Sequence, residues 1–232
     1  MIVFDSSQIV FDPETTGTEA TDRVVEIGAV VIDRSGEVVS EFETLVWQNP
    51  ALLNSPKSAE AFSIHNIDRG QILENGLSEQ LAGEAFANWI KESKDIFGAR
   101  CIRAFNQVFD FGMIRGSPLD PSKHKGGDIP EGDCIMLAAW KSMHEAGALV
   151  IHPGKSADAD YYGAVTGVPV PEDDIGRFKW PKATEAATFY ASLGYHIPDE
   201  VEHRALPDAR REAAIAVAIR LENMKIFEGK RR

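Results

Sequence analysis

Asp12 and Glu14 stand two residues apart at the end of an apolar run, in Phe11-Asp12-Pro13-Glu14-Thr15-Thr16-Gly17. If that run is a strand, side chains at i and i+2 leave the same face, and two carboxylates are forced together. Such a pair favours a cation. Hard divalent ions such as magnesium or manganese take oxygen ligands, and two of them can clamp the attacking and leaving oxygens of a phosphodiester. The spacing therefore points to metal-dependent phosphodiester chemistry. Asp-x-Glu also occurs on solvated loops, so other segments must carry the argument further.

Two segments do so. In Ala104-Phe105-Asn106-Gln107-Val108-Phe109-Asp110-Phe111, Asp110 falls on the first helical turns after a short buried strand, at the strand end where ligands gather in α/β folds. An acid near a helix start is also favoured by the macrodipole, so a purely structural role serves that segment equally well. In His203-Arg204-Ala205-Leu206-Pro207-Asp208-Ala209-Arg210, Asp208 opens the last helix. Ala209, Ala213, Ala216 and Val217 trace one face of that helix; small residues there let it lie close to a sheet, with Asp208 near the strand ends. His203 precedes it on a loop. Histidine, with an unperturbed pKa of about 6.5, is suited to take a proton from water near neutral pH, although a solvated polar histidine is the plainer reading of His203 by itself.

The elements that must position these residues follow from periodicity. A strand ends at the acid pair; Arg23 to Ile32 and Val38 to Trp47 read as two more, joined by a turn at Asp33-Arg34-Ser35-Gly36. After a proline-punctuated connection from Gln48 to Lys57, Ser63 to Asp68 is expected to cap and begin a short helix. Leu81, Ala85, Phe86, Trp89 and Ile90 recur at helical spacing between Ser78 and Ser93, with Ser78 as the cap. Arg100 to Phe105 reads as a buried strand and Gln107 to Arg115 as a helix ended by Gly116. A Gly-, Pro- and Lys-rich loop runs to Pro130, and Cys134 to Glu145 is apolar enough for a helix against the core. Helices are also expected over Lys182 to Leu193 and Ala205 to Phe227. Three antiparallel strands, helix, strand, then helices suit an α/β layered fold with a mixed sheet.

At 232 residues, 44% hydrophobic and 26% charged, the chain is long enough for one large core. We expect a single domain over 1–232, with an irregular insertion at about 147–180, where Gly, Pro and the acids Glu172-Asp173-Asp174 interrupt any period. The net charge of -12 argues against a strongly basic nucleic-acid coat. It leaves room for a nucleic-acid enzyme whose acids are offset by bound cations. Cys101 and Cys134 are too far apart to suggest a disulfide scaffold or a zinc site and read as buried small hydrophobes, which fits a reducing cytoplasm. No apolar run is long enough for a membrane span, and Asp5, Asp12 and Glu14 make the first residues a poor signal peptide. Gly154-Lys155-Ser156 lacks the glycine a phosphate loop needs at the position of Leu149, and His144-Glu145 lacks the second zinc-protease histidine at Ala148.

Taken together, Asp12-Pro-Glu14-Thr-Thr-Gly, Asn106-Gln-Val-Phe-Asp110 and His203-Arg-Ala-Leu-Pro-Asp208-Ala resemble, in content and order, the three motifs of the DEDDh, or DnaQ-like, 3′-to-5′ exonuclease family in its phage and bacterial form. Glu26-Ile27-Gly28-Ala29-Val30, Ile64-His65-Asn66-Ile67 and Lys179-Trp180-Pro181-Lys182 are similar to further family segments. The resemblance implies a ribonuclease H-like fold with a central five-stranded mixed sheet flanked by helices. It also implies a site in which Asp12, Glu14, Asp110 and Asp208 hold two Mg2+ or Mn2+ ions. His203 would be the general base, Thr15 and Thr16 would receive the terminal nucleotide through backbone groups, and Asn106 and Phe109 would help position it.

The implied reaction is hydrolysis at the 3′ end of DNA, single strands preferred, releasing nucleoside 5′-monophosphates. A 3′-5′ exoribonuclease is the alternative within the family. A non-catalytic nucleic-acid-binding module is the alternative outside catalysis, with Arg177, Phe178, Lys179 and Trp180 stacking on and neutralising a strand. A polymerase or a second copy of the chain is the partner such an enzyme could take. Three positions depart from the family pattern: Pro13 between the first two acids, Phe105 where histidine often precedes the asparagine, and Asn66 where glycine is usual. Proline has no amide to donate, so Pro13 is expected at a strand end or edge.

Overall fold

The computed structural model describes residues 6–149, 180–199 and 203–229. Four strands form one mixed sheet in the order β3-β2-β1-β4: β1 is Ser7–Thr15, β2 Val24–Ile32, β3 Val38–Leu45 and β4 Ala99–Arg103. β1 pairs antiparallel with β2, and β2 with β3; β4 runs parallel to β1. The family resemblance implies five strands; among the described residues the sheet has four, and beside β4 lies a single parallel bridge between Ile102 and Glu131. Ile102 donates its amide to Pro130 O (2.9 Å) and accepts from Gly132 N (2.8 Å). The prolines, glycines and acids of this segment stop the ladder after one rung.

Alternation along β1 sorts its side chains between two cores. Ile9 and Phe11 join Ile27, Ala29 and Val31 of β2 under helix α4, Glu79–Phe97. Val10 joins Val30 and Ile32 on the opposite face, under α6 (Ile135–Glu145), α7 (Ala183–Ser192) and α8 (Ala205–Gly229). Asp12 and Glu14 continue the Val10 stripe, so the acid pair emerges on the face that α8 covers. β4 reaches only as far as Val10, by its pairing with Arg103, so Phe11 to Thr15 run past its end. Pro13, opposite Ile27 of β2, lies in this unpaired stretch, where a missing amide removes no β4 rung.

Three short helices cross from β3 to α4: α1 Pro50–Leu53, α2 Ala59–His65 and α3 Arg69–Asn75. The segment from Ser63 to Asp68, expected to begin one helix, ends one and starts another. Asn66 closes α2 in the left-handed conformation (φ 55°), and the Asp68 carboxylate accepts from Gln71 N (2.9 Å) to cap α3. Asparagine is among the few residues other than glycine that tolerate this backbone, which accounts for its presence where the family usually has glycine. Ser78 caps α4 as expected, accepting from Leu81 N, and Gly98 ends the helix at φ 69°. Helix α5, Gln107–Ile114, follows β4 after three residues, and a 3-10 turn spans Pro121–Lys123.

Most of the irregular segment, with Arg177, Phe178 and Lys179, lies outside the described residues. Trp180 is half-buried and packs on Trp140, ring centroids 5.9 Å apart, at the edge of the α6–α8 core. That packing favours a structural over a strand-stacking role for it. Cys134 is buried, while Cys101 is only half-buried, at the centre of β4.

Candidate active site

Position 28 brings the three motifs together. Gly28 of β2 is registered with Asp12 and points to the same face. A Cβ there would lie 2.1 Å from Ala205 C and Leu206 N, so the absence of a side chain lets the start of α8 rest directly on the sheet. One register step along, Glu26 pairs with Glu14 across the strands and is fully buried. Its carboxylate receives Arg204 Nε (3.1 and 3.0 Å) and Nη2, and Ala205 N at 2.9 Å. A bidentate guanidinium and a helix-terminal amide thus tie the His203–Arg204 loop to β2.

Held in this way, α8 brings Asp208 to the acid pair. Asp12, Glu14 and Asp208 each offer an oxygen, and these atoms lie within 4.8 Å of one another. Asp110, in the first turn of α5, stands in the same cleft of about 540 Å³, and Phe109 and Thr15 line it too. His203 is at the rim, about half exposed, its Nδ1 3.7 Å from Asp208 Oδ2. Of the nucleotide-positioning candidates, Thr16 and Asn106 do not line the cleft. Thr16 is fully buried, donating its amide to Arg23 O (2.8 Å) and accepting from Arg23 N on Oγ1 (3.0 Å). Asn106 is exposed at the N-cap of α5.

Electrostatics set this cleft apart from a solvated acidic patch. Burial and then the charges of Glu212, Glu14, Asp110 and Asp208 raise the Asp12 carboxyl well above its ordinary value. Burial raises Asp110, and burial with the nearby Asp208 and Glu26 charges raises Glu14 to about 8. Carboxylates are crowded out of water in this way at sites where a cation supplies the missing counter-charge. Asp110 Oδ2 is buried without a hydrogen-bond donor. The donor set fits a hard divalent ion: all oxygen, several acids, and buried lone pairs that no described residue satisfies.

Residues 9–121 match the family model RNase_T, described as Exonuclease. Residues 9–121, with Asp12, Glu14 and Asp110, are thus an exonuclease domain of the DnaQ-like kind. A PolC-type DNA polymerase III from Clostridium perfringens is 31% identical over 122 residues, 52% of this chain and 7% of the relative. The epsilon subunit of DNA polymerase III from Treponema pallidum is 49% identical over 43 residues, 18% of this chain and 20% of the relative. The chain therefore spans only a small part of the curated relatives it matches. Among solved structures, the zinc-bound complex of E. coli exonuclease I with single-stranded DNA aligns with 96% of this chain and 42% of its own, at TM-score 0.58 and 21% identity. At that identity the likeness establishes the shared fold.

Several cleft residues were not singled out from sequence. His65, from the Ile-His-Asn-Ile segment, is buried under the cleft; its Nδ1 accepts from Ile67 N (3.1 Å), and burial lowers its pKa to about 4. Arg211 is buried with Nη1 2.5 Å from Asp208 Oδ1. Glu212, 4% exposed, lies one turn beyond Asp208 in the cleft wall. The i, i+4 spacing from Asp208 was the available signal. Among the described residues, no helix is long and apolar enough to cross a membrane.

Proposed function

We propose that this chain is a divalent-metal-dependent 3′-5′ exonuclease that shortens single-stranded DNA and releases nucleoside 5′-monophosphates. The observation that carries the reading is the meeting of Asp12, Glu14 and Asp208 oxygens within 4.8 Å in a cleft that also contains Asp110 and His203. Asp12, Glu14, Asp110 and Asp208 are the residues that would hold two Mg2+ or Mn2+ ions. When bound, such ions polarise the scissile phosphate and stabilise the attacking and leaving oxygens.

The chain's own groups do the rest. His203, exposed at the rim, takes the proton of the attacking water; Asp208, 3.7 Å from its Nδ1, stabilises the imidazolium that results. Phe109 offers a ring to the terminal base, and the backbone around Thr15 receives the terminal sugar at the cleft floor. Lys182, also on the lining, supplies positive charge for the strand's phosphates in a chain that is otherwise acidic, whereas Lys57 is paired with Glu19 and Asp22. The similarity to PolC-type and epsilon polypeptides supports a replicative polymerase as the first partner to try in a pull-down.

Purified protein with Mg2+ or Mn2+ should shorten 5′-labelled single-stranded DNA from its 3′ end, faster than an RNA oligomer of the same sequence. Asp12→Ala should lower the rate at least about 100-fold, since even outer-shell partners of a metal are typically worth 10- to 100-fold. Undiminished activity in Asp12→Ala would refute the site.

A further inference from the structure

The proposed reaction gives no task to Glu212, a buried carboxylate of the cleft; of the other unused acids on the lining, Glu19 and Asp22 are paired with Lys57, and Glu60 is exposed. Glu212 sits on the buried side of α8, 4% exposed, and among the described residues its Oε2 has no hydrogen-bond partner. The Phe105 backbone, at the end of the segment leading into α5, hydrogen-bonds the carboxylate and turns it toward the cleft wall that Asp110 also forms. A buried acid with an unsatisfied oxygen is costly unless something positive meets it. Arg211, its neighbour in sequence, places Nη1 2.5 Å from Asp208 Oδ1, and its charge offsets only part of the burial and like-charge repulsion that raise the Glu212 carboxyl.

Its neighbours show where the positive charge belongs. Among the charges acting on Asp12, that of Glu212 is the strongest, ahead of Glu14, Asp110 and Asp208; among those acting on Glu212, that of Asp110 is the strongest. Asp12 thus stands between Glu14 and Asp208, whose oxygens meet its own within 4.8 Å, and Asp110 and Glu212, which line the same cleft. Charge balance agrees. Two divalent cations carry four positive charges. Asp12, Glu14, Asp110 and Asp208 supply four negative ones, but the Arg211 guanidinium, 2.5 Å from Asp208, cancels one. Glu212 restores it.

We infer that Glu212 is a fifth carboxylate of the metal centre, acting with Asp12 and Asp110 to hold a second divalent cation beside the one between Asp12, Glu14 and Asp208. The inference rests on the metal-dependent reading of the cleft given above. It assigns to residue 212 a role that neither the acid pair nor the histidine motif supplies. A purely structural Glu212 would contribute to folding whether or not metal is present. A metal-holding Glu212 is a like charge forced against Asp12 and Asp110, so it opposes folding of the metal-free protein and favours ion uptake.

The test is Mn2+ titration of the full chain by isothermal calorimetry, counting bound ions by electron paramagnetic resonance, with thermal melts in EDTA alongside. Wild type should take up two ions. Glu212→Gln should keep one at unchanged affinity, bind the other at least about tenfold more weakly, and melt in EDTA no lower than wild type. Two ions bound to Glu212→Gln with wild-type affinities would overturn the inference while leaving the metal-dependent reading intact. Absence of Mn2+ uptake by wild type would overturn both. If the amide variant does not fold, Glu212→Met, apolar and of similar length, is read by the same criteria. Failure of both variants to fold in EDTA would assign Glu212 to folding and overturn the inference.

Discussion

Metal uptake by this cleft should release protons, and Glu14 sets the pH range. Burial and the Asp208 and Glu26 charges, partly offset by Arg204, raise its carboxyl from 4.5 to about 8. A carboxylate must be ionised to ligate, so an incoming ion has to displace that proton. With a pKa of about 8, Glu14 is roughly nine-tenths protonated at pH 7 and about 99% at pH 6. The apparent affinity for Mn2+ should therefore rise about tenfold per pH unit between pH 6 and 8 and flatten above. Asp12 and Asp110, also raised, can only steepen the rise. The effect on stability has the opposite sign. A folded-state pKa above the unfolded value means that the native chain retains a proton the unfolded chain gives up. Metal-free stability should then fall as pH rises from 4.5 toward 8, by up to about 1.4 kcal/mol per pH unit for this one proton. Calorimetric Mn2+ titrations at pH 6, 7 and 8, each in two buffers of different ionisation enthalpy, measure affinity and proton release together. Melts in EDTA over the same range measure the stability. An affinity constant from pH 6 to 8 with no buffer-dependent heat would refute the account of Glu14.

Other perturbations probe the scaffold that assembles the site. Gly28→Ala places a Cβ 2.1 Å from the Ala205–Leu206 backbone; urea unfolding should show a loss of about 1–3 kcal/mol, and Mn2+ affinity should drop as α8 and Asp208 lift from the acid pair. Glu26→Ala removes the anchor of Arg204 and of the α8 amide. Breaking a buried pair costs about 3–5 kcal/mol, and the loss here should fall at the lower end because the Arg204 side chain keeps 27% exposure. His65, lowered by burial from 6.5 to about 4, stays neutral in the fold while the unfolded chain takes up a proton. Its contribution is therefore intact above pH 6.5 and is lost as pH falls toward 4, by up to about 3 kcal/mol. The stability difference between wild type and His65→Gln should shrink across that window, as followed by chemical denaturation.

The parts of the site carried by period and by local chemistry were open to reading in the sequence. Two acids at i and i+2 on an apolar run share a strand face whatever the rest of the chain does. The eight residues from Ala104 to Phe111 suffice to place Asp110 on a helix start after a strand. The α/β order and most element boundaries rest on the same local signals. What escaped depends on contacts between distant segments. The Ser63 to Asp68 segment reads as the cap and start of one helix, yet Asp68 caps α3 while Asn66 closes α2. A left-handed asparagine has no periodic signature. The fifth strand that the resemblance implies is not found among the described residues, where Glu131 makes one bridge to β4; edge pairing depends on which residues lie beside β4 more than on a period of their own.

Glu212 belongs to this second kind, and it shows why site membership is harder to read than fold. On an alanine-rich helix a glutamate next to two arginines looks like part of a solvated face, and the Ala209, Ala213, Ala216 stripe does not contradict that. Which side of α8 meets water is fixed elsewhere, by the missing side chain at Gly28 and by Glu26 holding Ala205 N. Once the first turn is seated on β2, the rotation of the whole helix follows at 100° per residue. Asp208 and Glu212, four apart, must then turn inward together, and Arg211 with them. The glycine in β2 and the acid beside it thus decide which charges of a helix 180 residues away enter the cleft. Substitutions at Gly28 or Glu26 should consequently alter ion uptake without touching any group that would hold the ion.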